Sequence, residues 1–139
     1  MKALAVLLLG WAALAMPGWA QVPAQPVDVL HWLTSASERR AANQLSAILA
    51  ANGVQWRDAA IPGGGGMAAV KVLKSRVLMG DAPDVAQLIG TTLTEWADVG
   101  LVMPLNAVAT RQRWAQTLFP TVMDLVSYNG MVIAAPLGI

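Results

Sequence analysis

Short apolar runs alternate with longer amphipathic runs along most of the chain. Residues 27–33 are rich in β-branched and aromatic side chains, which predicts a first strand. Residues 35–38 fit the S-x-x-E capping box and precede apolar positions at helical spacing, which predicts a helix that Asn52-Gly53 ends. Those apolar positions are Ala41, Leu45, Ile48 and Leu49. Residues 54–61 alternate weakly and predict a second strand.

The pattern repeats after a glycine run. Four glycines at residues 63–66 lose too much backbone entropy to form the interior of a helix or strand, so they predict a loop. A second helix is predicted from one apolar face, and residues 80–83 close it. That face carries Met67, Val70, Leu73 and Val77. The nearly continuous apolar run at residues 84–89 predicts a central parallel strand covered on both faces, interrupted at Gln87.

Shorter elements are predicted in the last third of the chain. Thr92 or Thr94 caps a short helix that Gly100 ends. A helix over residues 111–126 is expected to break or kink at Pro120. Residues 128–131 carry a tight-turn signal, and residues 131–135 predict a strand.

Strands that alternate with helices predict the α/β class, with a mostly parallel sheet and helices on both faces. A length of 139 residues suits one domain or a piece of one. We therefore expect one α/β domain over residues 27–139. Because the chain stops soon after a strand, we expect this domain to be incomplete at its C-terminus.

The first twenty residues have the order of a signal peptide. Lys2 precedes an apolar stretch at residues 3–15, and the small residues Gly18 and Ala20 suit cleavage before Gln21. The apolar stretch is shorter than the roughly 20 residues of a membrane-spanning helix, so a permanent anchor is the weaker interpretation. We expect an exported mature chain that does not span a membrane, with residues 21–26 as an extended lead-in.

Charge and composition exclude several classes of partner and chemistry. Lys2 is the single charge in the first twenty residues, so the remainder carries eight basic and eight acidic side chains. A balanced chain without runs of like charge does not favour nucleic acid or anionic membrane surfaces. The sequence contains no cysteine, which excludes thiol catalysis and disulfides.

Three polar or aromatic residues are candidates for ligand binding, each with a structural alternative. Trp32 ends a strand and either packs in the core or covers a ligand. Glu38 either completes the capping box with the backbone of Ser35 or faces a ligand. Gln87 interrupts an apolar strand and needs hydrogen-bond partners if it is buried, and the carboxyl ends of strands are a usual ligand position in open α/β sheets.

The glycine loop does not match a phosphate-binding loop. Such a loop ends in Gly-Lys-Ser/Thr, whereas Gly66 is followed by Met67. Gly64 and Gly65 are therefore expected to let the backbone approach a ligand, unless the loop is only a flexible turn.

The sequence favours a binding protein over an enzyme. His31 is the single histidine, so a multi-histidine metal site is excluded, and we interpret His31 as an ordinary strand residue. Asp81 and Asp84 are interpreted as turn residues. No nucleophile and base pair supports an exported hydrolase, and no cofactor is expected. Three basic residues are expected to form a solvated helix face: Lys71, Lys74 and Arg76.

Taken in order, the motifs of the chain resemble the periplasmic solute-binding proteins of bacterial ABC transporters, in the branch that binds glucose and related sugars. The resembling segments are residues 31–35 with Glu38, 63–66, 73–76, 80–87, 95–101, 127–130 and 134–136. The resemblance implies two α/β lobes joined by a hinge, with the sugar in the cleft between them. This chain would supply most of the first half of the first lobe.

The resemblance also implies roles for individual residues. Trp32 falls at a cleft tryptophan, Glu38 at a sugar-binding carboxylate and Gln87 at a glutamine that reaches sugar hydroxyls. Leu33 and Ile89 depart from the pattern, since the family often has a second tryptophan and a basic residue there. These departures favour a sugar other than glucose, or weaker binding.

The resemblance predicts a periplasmic, monomeric protein that captures a glucose-like monosaccharide or short oligosaccharide and delivers it to the membrane permease of an ABC importer. The alternative is an exported half-lobe that acts through protein contacts without binding sugar. Because both lobes must touch the ligand, we expect the 139-residue chain alone to have little affinity for sugar.

Overall fold

The computed structural model describes residues 25–63 and 66–137. The expected signal peptide, its cleavage site before Gln21, and Gly64 and Gly65 lie outside these residues. The first half of the described chain contains β1 (Val27–His31), α1 (Ala36–Ala51), β2 (Trp56–Ala60), α2 (Met67–Leu78) and β3 (Val85–Ala86). The second half contains α3 (Thr91–Asp98), α4 (Asn106–Arg111), α5 (Trp114–Thr117), α6 (Pro120–Leu125), β4 (Ser127–Tyr128) and β5 (Met131–Val132).

A three-stranded parallel sheet organises the first half, in the order β2-β1-β3. Val27 pairs with Trp56 at one end of the β1–β2 ladder. Among the described residues β3 pairs with β1 alone, so the expectation of a central strand is wrong for this part of the chain. Val85 remains 49% exposed. An apolar run favours burial of a strand. It does not determine the position of that strand in the sheet, because strand order depends on pairing between distant segments.

Helices cover both faces of this sheet, which confirms the predicted α/β class. On one face Leu30 packs with residues of α2 and α3 in the main hydrophobic core. On the other face, Nη1 of Arg39 in α1 lies 2.9 Å from Oδ2 of Asp58 in β2. Alternate residues of a strand point to opposite faces, so β1 contributes to both packing layers. The buried residues of this main hydrophobic core are Leu30, Ala69, Leu73 and Trp96.

The start of α1 confirms the predicted capping box. The backbone N–H of Ser35 donates to Oε2 of Glu38 at 2.9 Å, and the N–H of Glu38 donates to the Ser35 hydroxyl at 3.4 Å. The buried residue of α1 is Ala42, however, while Leu45 and Ile48 are 42% and 61% exposed. The face of α1 that packs on the sheet carries Arg39, which pairs with Asp58. The more apolar face, with Leu45 and Ile48, is exposed.

The helix face that includes Arg76 differs from the expected solvated face. Lys71 and Lys74 are exposed as predicted, but the Arg76 side chain is only 15% exposed. Its Nη2 lies 2.5 Å from Oδ2 of the buried Asp28, and its Nε donates to Oδ2 of Asp81 at 3.1 Å. Arg76 therefore connects α2 to the central strand, because a buried carboxylate needs a charged partner.

One expectation for the short helices is corrected and another is confirmed. Gly90 precedes α3, and no side chain caps that helix, so the threonine caps are wrong. The expected break at Pro120 is confirmed, because the region from residue 111 to residue 126 is divided into α5 and α6. Pro120 begins α6, where its fixed φ angle and missing N–H are tolerated.

The second half ends in a small antiparallel hairpin, β4–β5, that is separate from the parallel sheet. Asn129 and Gly130 have φ angles of 49° and 75°, which fits a two-residue turn with left-handed backbone and confirms the predicted turn. The following strand is shorter than expected and ends at Val132. Within residues 25–63 and 66–137, no helix is long and apolar enough to cross a membrane.

Candidate functional site

The candidate site lies where the three parallel strands end. β1 ends at His31 and is followed by Trp32, and β3 ends at Ala86 and is followed by Gln87. Because the strands are parallel, their carboxyl ends meet at one edge of the sheet, which is the usual ligand position in open α/β sheets. The topology thus brings together two of the residues that the sequence selected.

Gln87 and Trp32 are joined directly. The N–H of Gln87 donates to the carbonyl of Leu30 at 2.8 Å, which holds Gln87 beside β1. The backbone N–H of Trp32 then donates to Oε1 of Gln87 at 3.1 Å. The carbonyl end of this half-buried amide is therefore occupied by the backbone. No described residue accepts a hydrogen bond from the NH₂ end of the same amide, and its two donors suit a hydroxyl-rich ligand.

The Trp32 indole lies flat against the start of α2. A Cβ atom added at Gly66 would lie 2.8 Å from Cη2 and Cζ3 of the indole. The ring also packs against the main core, and the residue is half-buried. The geometry shows that Trp32 packs in the fold, and its role in ligand binding stays a prediction.

Glu38 lies at the first turn of α1, and its side chain is used by the capping box. Hydrogen bonds from the Ser35 side chain and backbone hold the pKa of Glu38 below its usual value, so the carboxylate stays ionised at neutral pH. No hydrogen bond between described residues joins Glu38 to Trp32 or Gln87. A carboxylate has up to four acceptor positions, which leaves capacity for a ligand beside the cap.

His31 lies in β1, as the sequence interpretation had it, and it also makes contacts that the sequence did not indicate. It is 2% exposed. Its Nε2 lies 2.6 Å from Oδ1 of Asp58, and its Nδ1 accepts the backbone N–H of Leu33 at 3.1 Å. Since a neutral imidazole has one donor and one acceptor nitrogen, these contacts assign the proton to Nε2.

The Asp58 carboxylate contacts three donor side chains, on the face of the sheet opposite Asp28. Besides His31, Nε1 of Trp56 donates to its Oδ1 at 3.2 Å, and Arg39 forms the ion pair described above. Partial burial acts to raise the pKa of Asp58, but the hydrogen bonds from His31, Trp56 and Arg39 outweigh it and hold the pKa below its usual value. No local pattern in the sequence indicated this cluster, because His31 and Asp58 lie 27 positions apart.

Protein groups hold the His31 ring on both sides. Both nitrogens of His31 are occupied by protein groups, so this imidazole has no free position to act on a substrate. The part of the chain that the structure describes has no group of three or more histidine, aspartate or glutamate side chains arranged to hold a metal ion. A depression of about 340 Å³ between α2 and α3 includes none of the candidate residues.

Comparison with known proteins identifies the relatives of this chain. No family model matches it. It is 36% identical over 143 aligned positions to a probable sugar-binding periplasmic protein of Brucella melitensis, a match that covers 99% of this chain and 34% of that relative. The chain is similar in sequence to proteins described as probable sugar-binding periplasmic proteins. Relatives with the same description in Rhizobium meliloti and Mesorhizobium japonicum are 36% and 34% identical, over 92% and 81% of the chain.

This homology confirms the resemblance found in the sequence motifs. The described α/β architecture, with a parallel sheet and helices on both faces, is consistent with part of one lobe of a periplasmic binding protein. The chain spans about a third of the length of the sugar-binding periplasmic proteins that it matches, 34% of the Brucella melitensis relative.

Proposed function

We propose that this chain forms the first part of the sugar-binding component of an ABC importer, which captures a sugar in the periplasm and delivers it to the membrane permease. The observation that carries the proposal is the pairing of Trp32 with Gln87 at the carboxyl edge of the sheet. The names of its homologues support sugar as the class of ligand.

The proposed ligand contacts follow from the chemistry of three side chains. The Trp32 indole covers the C–H face of a sugar ring, and the NH₂ group of Gln87 donates to a hydroxyl. Glu38 accepts a hydrogen bond from a second hydroxyl. Gly64 and Gly65 bring the backbone close to the ligand, in the loop that leads to Gly66 beneath the indole.

The complete protein is proposed to close around the sugar. Since this chain spans about a third of its relatives, we propose that the remaining part of a longer protein supplies the opposite side of the cleft. Contacts from both sides stabilise the closed conformation, which the permease recognises. The mature protein acts as a monomer without catalytic activity or a cofactor, after cleavage of the signal peptide before Gln21.

The proposal is tested by the variant Trp32→Ala in the native protein. Isothermal titration calorimetry with a panel of monosaccharides and short oligosaccharides measures the Kd. The substitution removes the stacking surface, so we expect the affinity for the preferred sugar to fall by more than about tenfold. The control is Trp114→Ala, since Trp114 packs against the separate cluster near the hairpin.

Two results would count against this proposal. Unchanged sugar affinity in Trp32→Ala would remove Trp32 from the site. A wild-type protein that binds no sugar in the panel would remove the function itself and favour a role through protein contacts.

A further inference from the structure

His31 connects three separate segments of the chain at the candidate site. It belongs to β1, its Nε2 contacts Asp58 in β2, and its Nδ1 accepts the N–H of Leu33 in the turn that follows β1. At 2% exposure the imidazole does not reach a ligand in the cleft. Any influence of His31 on sugar binding must therefore act through the turn.

Trp32 lies between His31 and Leu33, which are joined by the hydrogen bond from the Leu33 N–H to Nδ1 of His31. The N–H of Leu33 is held by His31, and the N–H of Trp32 is held by Oε1 of Gln87. Both peptide units that flank the Trp32 Cα atom are thus fixed by side chains of the sheet. The direction of the Cα–Cβ bond follows from those peptides, and it determines how the indole lies against Gly66.

We propose that His31 is a positioning residue, which fixes the Trp32 indole for sugar binding through the hydrogen bond from Leu33 to Nδ1. This inference rests on the proposed sugar-binding function. Asp58 acts indirectly: by accepting the Nε2 proton, it keeps Nδ1 free as an acceptor for Leu33. Arg39 and Trp56 hold the Asp58 carboxylate in place.

Two substitutions separate the two hydrogen bonds of His31. In His31→Asn, the amide oxygen lies close to the position of Nδ1 and accepts from Leu33, while the contact with Asp58 is lost. In His31→Gln, the longer amide reaches Asp58 as a donor, while the contact with Leu33 is lost. In each variant the new side chain is smaller than that of histidine and lacks one of the two hydrogen bonds. Each variant therefore serves as the matched control for the other.

The first measurement compares sugar affinity with stability in the native protein. We expect similar losses in Tm for the two variants, because each loses one buried hydrogen bond and similar packing. We expect the Kd for sugar to be about tenfold higher in His31→Gln than in His31→Asn, since only Asn retains the contact with Leu33. Equal Kd values, or Kd values that follow Tm, would overturn the proposal.

The second measurement does not need sugar. Protein labelled with 5-fluorotryptophan gives ¹⁹F resonances, and Trp32→Phe assigns the resonance of Trp32. In the sugar-free state we expect this resonance to shift or broaden in His31→Gln and to stay near its wild-type position in His31→Asn. A Trp32 resonance that behaves alike in both variants would overturn the proposal.

The two measurements separate this inference from the function on which it rests. If the wild-type protein binds no sugar but the Trp32 resonance distinguishes the variants, the proposed function fails and His31 still positions Trp32. If sugar binds but neither Kd nor the resonance distinguishes the variants, the sugar-binding function stands and the role of His31 is rejected.

Discussion

Gly66 shows how one residue controls the geometry of the candidate site. Its φ angle of 74° lies in the left-handed region, and the Trp32 ring occupies the space that a side chain would need. A residue with a Cβ atom would be strained by its backbone and would also displace the ring. The lack of a side chain at position 66 is therefore a direct requirement for the observed position of Trp32.

The variant Gly66→Ala tests this requirement. We expect it to lower the free energy of unfolding by about 1–2 kcal/mol more than Gly100→Ala, because Gly100 has a similar φ angle of 72° but open space around it. Urea denaturation measures both variants. Equal losses would mean that backbone strain alone acts at Gly66 and that Trp32 gives way without cost.

The variant Glu38→Gln separates the two roles considered for Glu38. Glutamine also completes a capping box, so we expect Tm to change by no more than about 2 °C. If the carboxylate contacts sugar, the affinity falls by about tenfold while Tm is kept. Calorimetric titration and a thermal melt measure the two quantities. Unchanged affinity would assign Glu38 to the helix cap alone.

At the scale of elements, a buried ion cluster joins β1, β2 and α2. Oδ2 of Asp28 lies 2.8 Å from Nη2 of Arg57 and 2.5 Å from Nη2 of Arg76, and the Asp28 side chain is 4% exposed. The backbone N–H of Asp28 donates to Oδ2 of Asp84 at 2.8 Å, which brings in the start of β3. Four segments thus meet at the end of the sheet opposite the candidate site.

The variant Asp28→Asn tests this cluster. Removal of a buried charge leaves the side chain of Arg76 without its main partner, so we expect a loss of about 3 kcal/mol in the free energy of unfolding. Asp124→Asn, at an exposed position of α6, is the control and should change stability by less than about 0.5 kcal/mol. Chemical denaturation of the two variants gives the comparison. A loss at Asp28 no larger than the control would show that the cluster does not stabilise the fold.

At the scale of the whole molecule, large apolar side chains remain exposed on several described elements. Leu78 is 88% exposed, Met103 78% and Phe119 73%. Single exposed apolar side chains are common on folded proteins, so these three residues do not by themselves define a contact surface.

Stability of the whole molecule is expected to fall in acid. Hydrogen bonds from Arg76 lower the pKa of Asp28, and those from His31, Trp56 and Arg39 lower the pKa of Asp58 despite burial. A carboxyl whose pKa is lower in the folded state stabilises the fold above its unfolded pKa. That contribution disappears as the pH falls through the folded value.

We therefore expect the free energy of unfolding to decline below about pH 5 and to continue falling toward strongly acidic pH. Urea denaturation between pH 7 and pH 2 measures this. The decline should be weaker in Asp28→Asn than in the wild type, because one of the carboxyls with a lowered pKa is absent. A parallel decline in both proteins would contradict the role assigned to Asp28.

The sequence by itself determined the features that depend on neighbouring residues. Ser35 and Glu38 are three positions apart, and their capping box formed as predicted, as did the turn at Asn129-Gly130. Alternating elements determined the α/β class, and the polar interruption at Gln87 lies at the carboxyl end of β3. These signals are local, because backbone geometry and hydrogen bonds within one or two turns of chain produce them.

Tertiary structure alone decided which distant side chains meet. Trp32 contacts Gln87 across 55 positions, and His31 contacts Asp58 across 27. The same holds for Arg76, which was expected to be solvated. Its side chain instead pairs with the buried Asp28, 48 positions away in the sequence. Strand order and helix rotation follow from packing and charge pairing across the sheet. Spacing along one sequence carries no information on those pairings, so the cluster around His31 became visible only in the fold.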